Sequence, residues 1–154
     1  MHERCSDRTL YRRYLSGVAE WRDISLRRLT GGHRGATLVV MSEDGSIVGL
    51  GNVFPDHPSD GHAAELAVIV EDVYQGRGIG TRLVRRLLEL AQRLGIEHVV
   101  ATLLAENAEM LSVLEATGLD WTRELDRSVL TIRAPLPVAA YGSLSPGHPR
   151  VRRP

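Results

Sequence analysis

The stretch YQGRGIGT, residues 74–81, constrains this chain more than any other. Its glycines at 76, 78 and 80 stand between two strongly patterned segments. Before it runs AAELAVIV, 63–70, apolar enough for a strand in the middle of a sheet. After it, from Gly78 to Leu94, the residues Ile79, Leu83, Leu87, Leu90, Ala91 and Leu94 repeat at helical spacing. Val84 and Leu88 lie beside that stripe, Arg82, Arg85, Arg86, Glu89 and Arg93 face away, and Gly95 ends the helix. HVVATLL, 98–104, then reads as a second buried strand. Strand, helix and strand in this order make a βαβ unit, whose two strands are parallel neighbours. The glycines therefore fall at the turn from a central strand into a helix.

The rest of the chain arranges itself around that unit. SDRTLYRRYLSG, 6–17, reads as a first helix capped by Ser6 or Asp7, with Leu10, Tyr14 and Tyr11 as its apolar stripe and Gly17 as its stop. WRDISLRRLT, 21–30, reads as a second short helix, and GGHRG, 31–35, as a loop. ATLVVM, 36–41, and SIVGLGNVF pair as strands across the turn EDGS. PDHPSDGH, 55–62, reads as a polar loop between strands. Asn107–Thr117 is a helix closed by Gly118. LDWTREL and SVLTIRA, separated by Asp126 and Arg127, form a closing hairpin. The expected fold is α/β: a mixed, mostly antiparallel central sheet flanked by helices. The domain spans 1–135, and the proline- and glycine-rich segment 136–154 is expected to be a disordered tail.

Composition removes several alternatives. The 154 residues suit one domain. The formal net charge is zero, so nothing favours nucleic acid or a membrane surface. No apolar run approaches a membrane span, and MHERCSDRTL lacks the apolar core of a signal peptide, so a cytoplasmic location is expected. Cys5 is the only cysteine, which excludes an internal disulfide. All 19 basic residues are arginine. Without lysine there is no Walker A loop and no Schiff-base chemistry.

A strand-to-helix turn presents unpaired backbone N–H groups and the positive end of the helix dipole. It is a natural site for an anion, diphosphate above all, and glycine lets backbone and phosphate approach closely. The alternative is a tight turn that holds nothing. The dinucleotide fingerprint G-x-G-x-x-G fails, because counting from Gly76 its last position is Thr81. The stretch fits Q/R-x-x-G-x-G/A instead, with Gln75, Gly78 and Gly80 on the fixed positions. Here the sequence resembles the GNAT superfamily of acetyl-CoA-dependent N-acetyltransferases, and the order of elements from about 8 to 134 matches that family's fold. AAELAVIVEDVYQGRGIG, LLAENAEMLSVLEATGLDW and IRAPLP resemble one branch more closely, the bacterial protein lysine acetyltransferases that silence acyl-CoA synthetases. SDRTLYRRYLSG resembles the opening of that branch only loosely. Many of its members carry a further cyclic-nucleotide-binding or synthetase-like domain. A chain of 154 residues has no room for one, so control by a fused sensor is not expected.

The resemblance implies acetyl transfer from acetyl-CoA to an amine. The expected acceptor is a protein with an exposed lysine, and the alternatives are a small-molecule amine or a non-catalytic acyl-CoA sensor. Gln75, Gly76, Arg77, Gly78, Ile79, Gly80 and Thr81 would hold the pyrophosphate. Backbone groups of Val68, Ile69 and Val70, on a strand splayed from its neighbour, would bind the pantetheine arm. Asn107 would contact the cofactor; read from the residues alone, it is equally a helix N-cap. Glu65, the one charged residue in AAELAVIV, is the candidate general base, since lysine is mostly protonated at neutral pH. Read without the resemblance, it is equally a solvated glutamate paired with an arginine. Many members carry a tyrosine on the helix after Asn107 to protonate the thiolate. NAEMLSVLEATG has none, so no general acid is assigned, and Tyr74 is expected to pack. His33, His57 and His62 lie on expected loops with no metal-ligand spacing, so no metal is expected. Asp56, Asp60, Glu71 and Asp72 are either an acidic mouth for cationic amines or solvated loop charges. The oligomeric state is open between monomer and homodimer.

Overall fold

A computed structural model describes residues 1–15, 35–57 and 60–137. Helix α1 (Asp7–Tyr14) is followed by an antiparallel meander of β1 (Ala36–Met41), β2 (Ile47–His57) and β3 (Asp60–Val70). Helix α2 (Ile79–Arg93) carries the chain back, so that β4 (His98–Leu104) pairs with β3 in parallel. Helix α3 (Ala108–Glu115) leads to the hairpin of β5 (Thr122–Asp126) and β6 (Val129–Pro135), with β6 antiparallel to β4. Among the described residues, six strands form one sheet in the order β1-β2-β3-β4-β6-β5. This is the mixed, mostly antiparallel α/β arrangement expected. The helix expected at 21–30 and the tail beyond 137 lie outside the described residues.

The two faces of the sheet are buried by different helices. On one face, Val53, Leu66, Val99, Ala101 and Ile132 pack with Val84, Leu87 and Ala91 of α2 and Leu114 of α3. On the other, Leu50 and Ile69 pack with Leu10 of α1. Alternation along β3 fixes this division: Ala64, Leu66 and Val68 face α2, while Glu65, Ala67 and Ile69 share the α1 face.

Several details depart from the sequence reading. The stretch 55–62 is not a loop: β2 and β3 run on through it, pairing Pro55 with Ala64 and His57 with Asp60. A proline is tolerated there because β1 begins at Ala36, opposite Val53, so that among the described residues no strand pairs with Pro55 on that side of β2. His57 and His62 are accordingly strand residues. The His62 Nδ1 lies 3.0 Å from a Glu97 carboxylate oxygen. Tyr11 is not part of the apolar stripe of α1 but half-exposed. That helix stops at Leu15, in left-handed conformation (φ 54°), rather than at Gly17. Trp121 precedes β5; its indole Nε1 donates to the Leu114 carbonyl at 3.0 Å and closes the end of α3. The domain also reaches past Pro135. Leu136 is buried in the α2-side core, and the Pro137 carbonyl accepts from Gln92.

Candidate active site

The parallel pairing of β3 with β4 lasts for only three residues: Ala63 with His98, Ala64 with Val99, and Glu65 with Val100. Beyond Glu65 the strands part. A cavity of about 350 Å³ opens between them, walled by residues 66–70 of β3 and 101–103 of β4. The start of α2 lies at one end, Asn107, Met110 and Val113 on one side, and Thr9, Arg12 and Arg13 of α1 on the other.

The register of β2 against β3 decides which backbone groups enter this gap. The Glu71 N–H donates to the Val48 carbonyl, which makes their pair a hydrogen-bonded one. By antiparallel alternation, Ile69 and Ala67 also send their backbone groups to β2, and Val70 and Val68 send theirs the other way, toward the gap. Val68 and Val70 thus turn main-chain donors and acceptors to the gap, whereas Ile69, expected to do the same, turns its backbone to β2 and packs its side chain with Leu10 and Leu50. The Val70 carbonyl also accepts from the Gln75 side-chain amide at 2.9 Å, which ties the glycine loop to the strand.

The loop is built as its glycines require. Gly76 (φ 70°) and Gly78 (φ 74°) both adopt the left-handed conformation that a side chain disfavours. Gly80 is different: it is helical, and an added Cβ would meet Val113 at an ordinary 3.6 Å. Gly78 caps α2 without any side-chain hydrogen bond. The first-turn residues Ile79, Gly80 and Thr81 line the cavity, so the positive end of the helix faces it. Arg77 does not line it. Its guanidinium lies 5.3 Å from the centroid of the Tyr74 ring, and Tyr74 itself is among the residues that line the cavity.

Asn107 is an N-cap that also faces the cavity. It is buried, its side-chain oxygen accepts from the Met110 N–H at 3.2 Å as an N-cap, and it also lines the cavity. Glu65 is half-buried at the closed end of the gap, on the α1 face, and is not itself part of the cavity wall.

The acidic mouth does not form from Glu71 and Asp72. Glu71 is buried, with both carboxylate oxygens 3.0 Å from Arg4 Nε. Asp72 accepts from the Ser6 N–H, the Ser6 hydroxyl and the Thr9 hydroxyl. Burial pulls the Asp72 carboxyl up, but these hydrogen bonds outweigh it and hold the group below its ordinary range. Both carboxylates fasten the N-terminal segment to the loop, and Thr9 in turn accepts from Gln75 at 3.1 Å. Among the described residues no three His, Cys, Asp or Glu side chains converge as a metal site, and no helix is long and apolar enough to cross a membrane.

Sequence reasoning missed Thr9, Arg12 and Arg13. Their spacing of i, i+3 and i+4 puts them on one helical face, the only signal the sequence offers for them.

Comparison with known proteins agrees with this anatomy. The family model described as "Acetyltransferase (GNAT) family" matches residues 5–119. "Acetyltransferase Pat" of Mycolicibacterium smegmatis is 33% identical over 124 residues, 77% of this chain and 36% of that protein. The "L-methionine sulfoximine/L-methionine sulfone acetyltransferase" of Salmonella typhimurium is 28% identical over 93 residues, 59% of this chain and 54% of the relative. The chain thus spans little more than a third of the first relative and about half of the second. Among solved structures, the GNAT domain of S. lividans PAT superposes with a TM-score of 0.77 at 22% identity, covering 88% of this chain and 81% of that one.

Proposed function

The chain belongs to the acetyltransferase (GNAT) family, and on that premise we propose that it moves the acetyl group of acetyl-CoA to a protein lysine ε-amine, with Glu65 as general base. The observation that carries this reading is the parting of β3 from β4 directly after Glu65. It gives one cleft a carboxylate at its closed end and a glycine-rich helix N-terminus at the other. The pyrophosphate would lie against the amides of 78–81, and the pantetheine arm against Val68 and Val70. Asn107 and the apolar Met110 and Val113 would complete the donor site.

The chemistry follows from what an amine requires. Free lysine has a pKa of about 10.4, so the ammonium must lose a proton before it attacks. Glu65 accepts that proton, directly or through water. The amine nitrogen bonds to the thioester carbon, the Val68 N–H supports the oxygen as charge develops, and the carbon–sulfur bond breaks. Coenzyme A leaves as the thiol after taking up a proton, and the net reaction from the ammonium form releases one proton. The helix after Asn107 supplies no tyrosine as a general acid, so solvent or the protonated Glu65 serves.

The 33% identity to Acetyltransferase Pat and the resemblance of 63–80 and 103–121 to protein lysine acetyltransferases support the protein acceptor. The 28% identity to an acetyltransferase of L-methionine sulfoximine favours a second reading, a small amine. Labelled acetyl-CoA in a bacterial lysate separates them. Label on a few proteins, lost with Glu65→Gln, supports the lysine reading. Label confined to small molecules promotes the second.

A further inference from the structure

The cleft carries a cationic feature that acetyl transfer to a bare amine does not use. Helix α1 runs along it. Its residue Thr9 meets Gln75 at the loop end, whereas Arg13 donates to the Asn52 side-chain oxygen at 3.1 Å. Asn52 pairs with Ala67 in the sheet. Ala67 is three residues from Val70 and two from Glu65, roughly 10 Å and 7 Å along the strand. Arg13 therefore stands at the Glu65 end, on the Glu65 face, and away from the helix terminus that suits phosphates.

This guanidinium is held, not loose. Asn52 is buried, and its side-chain amide donates to the Thr37 hydroxyl at 3.0 Å, so the oxygen that meets Arg13 is fixed from behind. Next to it Arg12 has a side chain only 18% exposed. It reaches Glu109 at 3.1 Å, while its Nε is a buried donor with no partner among the described groups. Both arginines line the cavity. A planar guanidinium in a half-buried site suits a carboxylate held by paired hydrogen bonds, and it repels a second cationic centre.

We propose that Arg12 and Arg13 form an anion subsite for the acceptor, whose reactive amine carries a carboxylate or similar oxyanion a few bonds away. The anion is either an acidic side chain beside a target lysine or the carboxylate of a small amino acid. This rests on the reading of Glu65 as the base that marks the reacting end.

The test compares acceptors that differ only in that charge: lysine peptides flanked by Asp or Glu against their Asn or Gln counterparts, and free amino acids against their amides. The native protein should prefer the anionic member by about ten-fold or more in kcat/KM, chiefly through KM. Arg13→Gln should bring that preference close to one, Arg13→Lys should keep part of it, and Arg12→Gln should reduce it if Arg13→Gln fails to fold. Calorimetry with acetyl-CoA reports the fold and the donor site separately. Equal use of both members, or use of neither, overturns the subsite. So does an Arg13→Gln defect that lies in acetyl-CoA binding. A preference confined to free amino acids keeps the subsite and sinks the protein lysine reading.

Discussion

Glu65 and Val100 form the last rung of the parallel ladder between β3 and β4. One residue further on, the strands enclose a cavity instead of each other. The carboxylate is thus carried by a backbone held on both sides, by Phe54 of β2 and by Val100. A carboxylate on such a strand moves little, and removing this proposed base should affect the reaction more than the fold. Glu65→Gln should lower kcat by about 10²–10⁴-fold and leave acetyl-CoA affinity within a few-fold of native. Steady-state rates with calorimetry on the same sample decide this. A comparable loss of acetyl-CoA binding would assign Glu65 a structural role.

The glycines of the loop are not equivalent. Gly78 needs φ near +74°, where a Cβ costs about 1–2 kcal/mol. Gly80 is helical and has ordinary room for a Cβ. Gly78→Ala should therefore lower the melting temperature and weaken acetyl-CoA binding together. Gly80→Ala should melt at or slightly above the native temperature, since alanine is the better helix former. Paired thermal melts show whether the two positions separate.

How far these features were legible in the sequence depends on the range of the interaction. The α2 stripe and the strand 98–104 were readable because local periodicity dictates them, and the parallel pair followed from chain connectivity. Pro55 and the aspartates after it read as a loop because local composition carries no information about where β1 begins. Trp121 read as strand because its indole partner, the Leu114 carbonyl, is exposed only once the helix exists. Arg13 was invisible for the same reason. Nothing near it in sequence announces Asn52, 39 residues away, or Thr37 behind it.

The stripe that made α2 readable also carries its stability. Leu87 is completely buried between α2 and the sheet. Truncating it removes several methyl and methylene groups from a core that cannot fully collapse around the space. Leu87→Ala should cost about 2–5 kcal/mol in urea melts. An exposed position on the same helix, such as Arg86→Ala, should change stability by about 0.5 kcal/mol or less. A small effect at Leu87 would mean that the core around α2 is looser than its packing indicates.

Asp72 gives stability a pH dependence of known sign. Its carboxyl is held below the ordinary aspartate range in the folded protein by hydrogen bonds from Ser6 and Thr9, which outweigh the opposing effect of burial. A depressed folded pKa means that the ionised form favours folding. Its contribution is fully present above the unfolded value of about 3.9, and it is lost as pH falls through the folded one. Asp72→Asn should therefore lower the melting temperature by a constant amount from pH 5 upward, and that gap should narrow as pH falls below the unfolded value and close once the folded carboxyl is protonated as well. The site is mostly solvated, so the gap should be small and should shrink with added salt. Melts of both proteins across this range decide it, and a gap that persists at low pH would show that the aspartate acts through its shape alone.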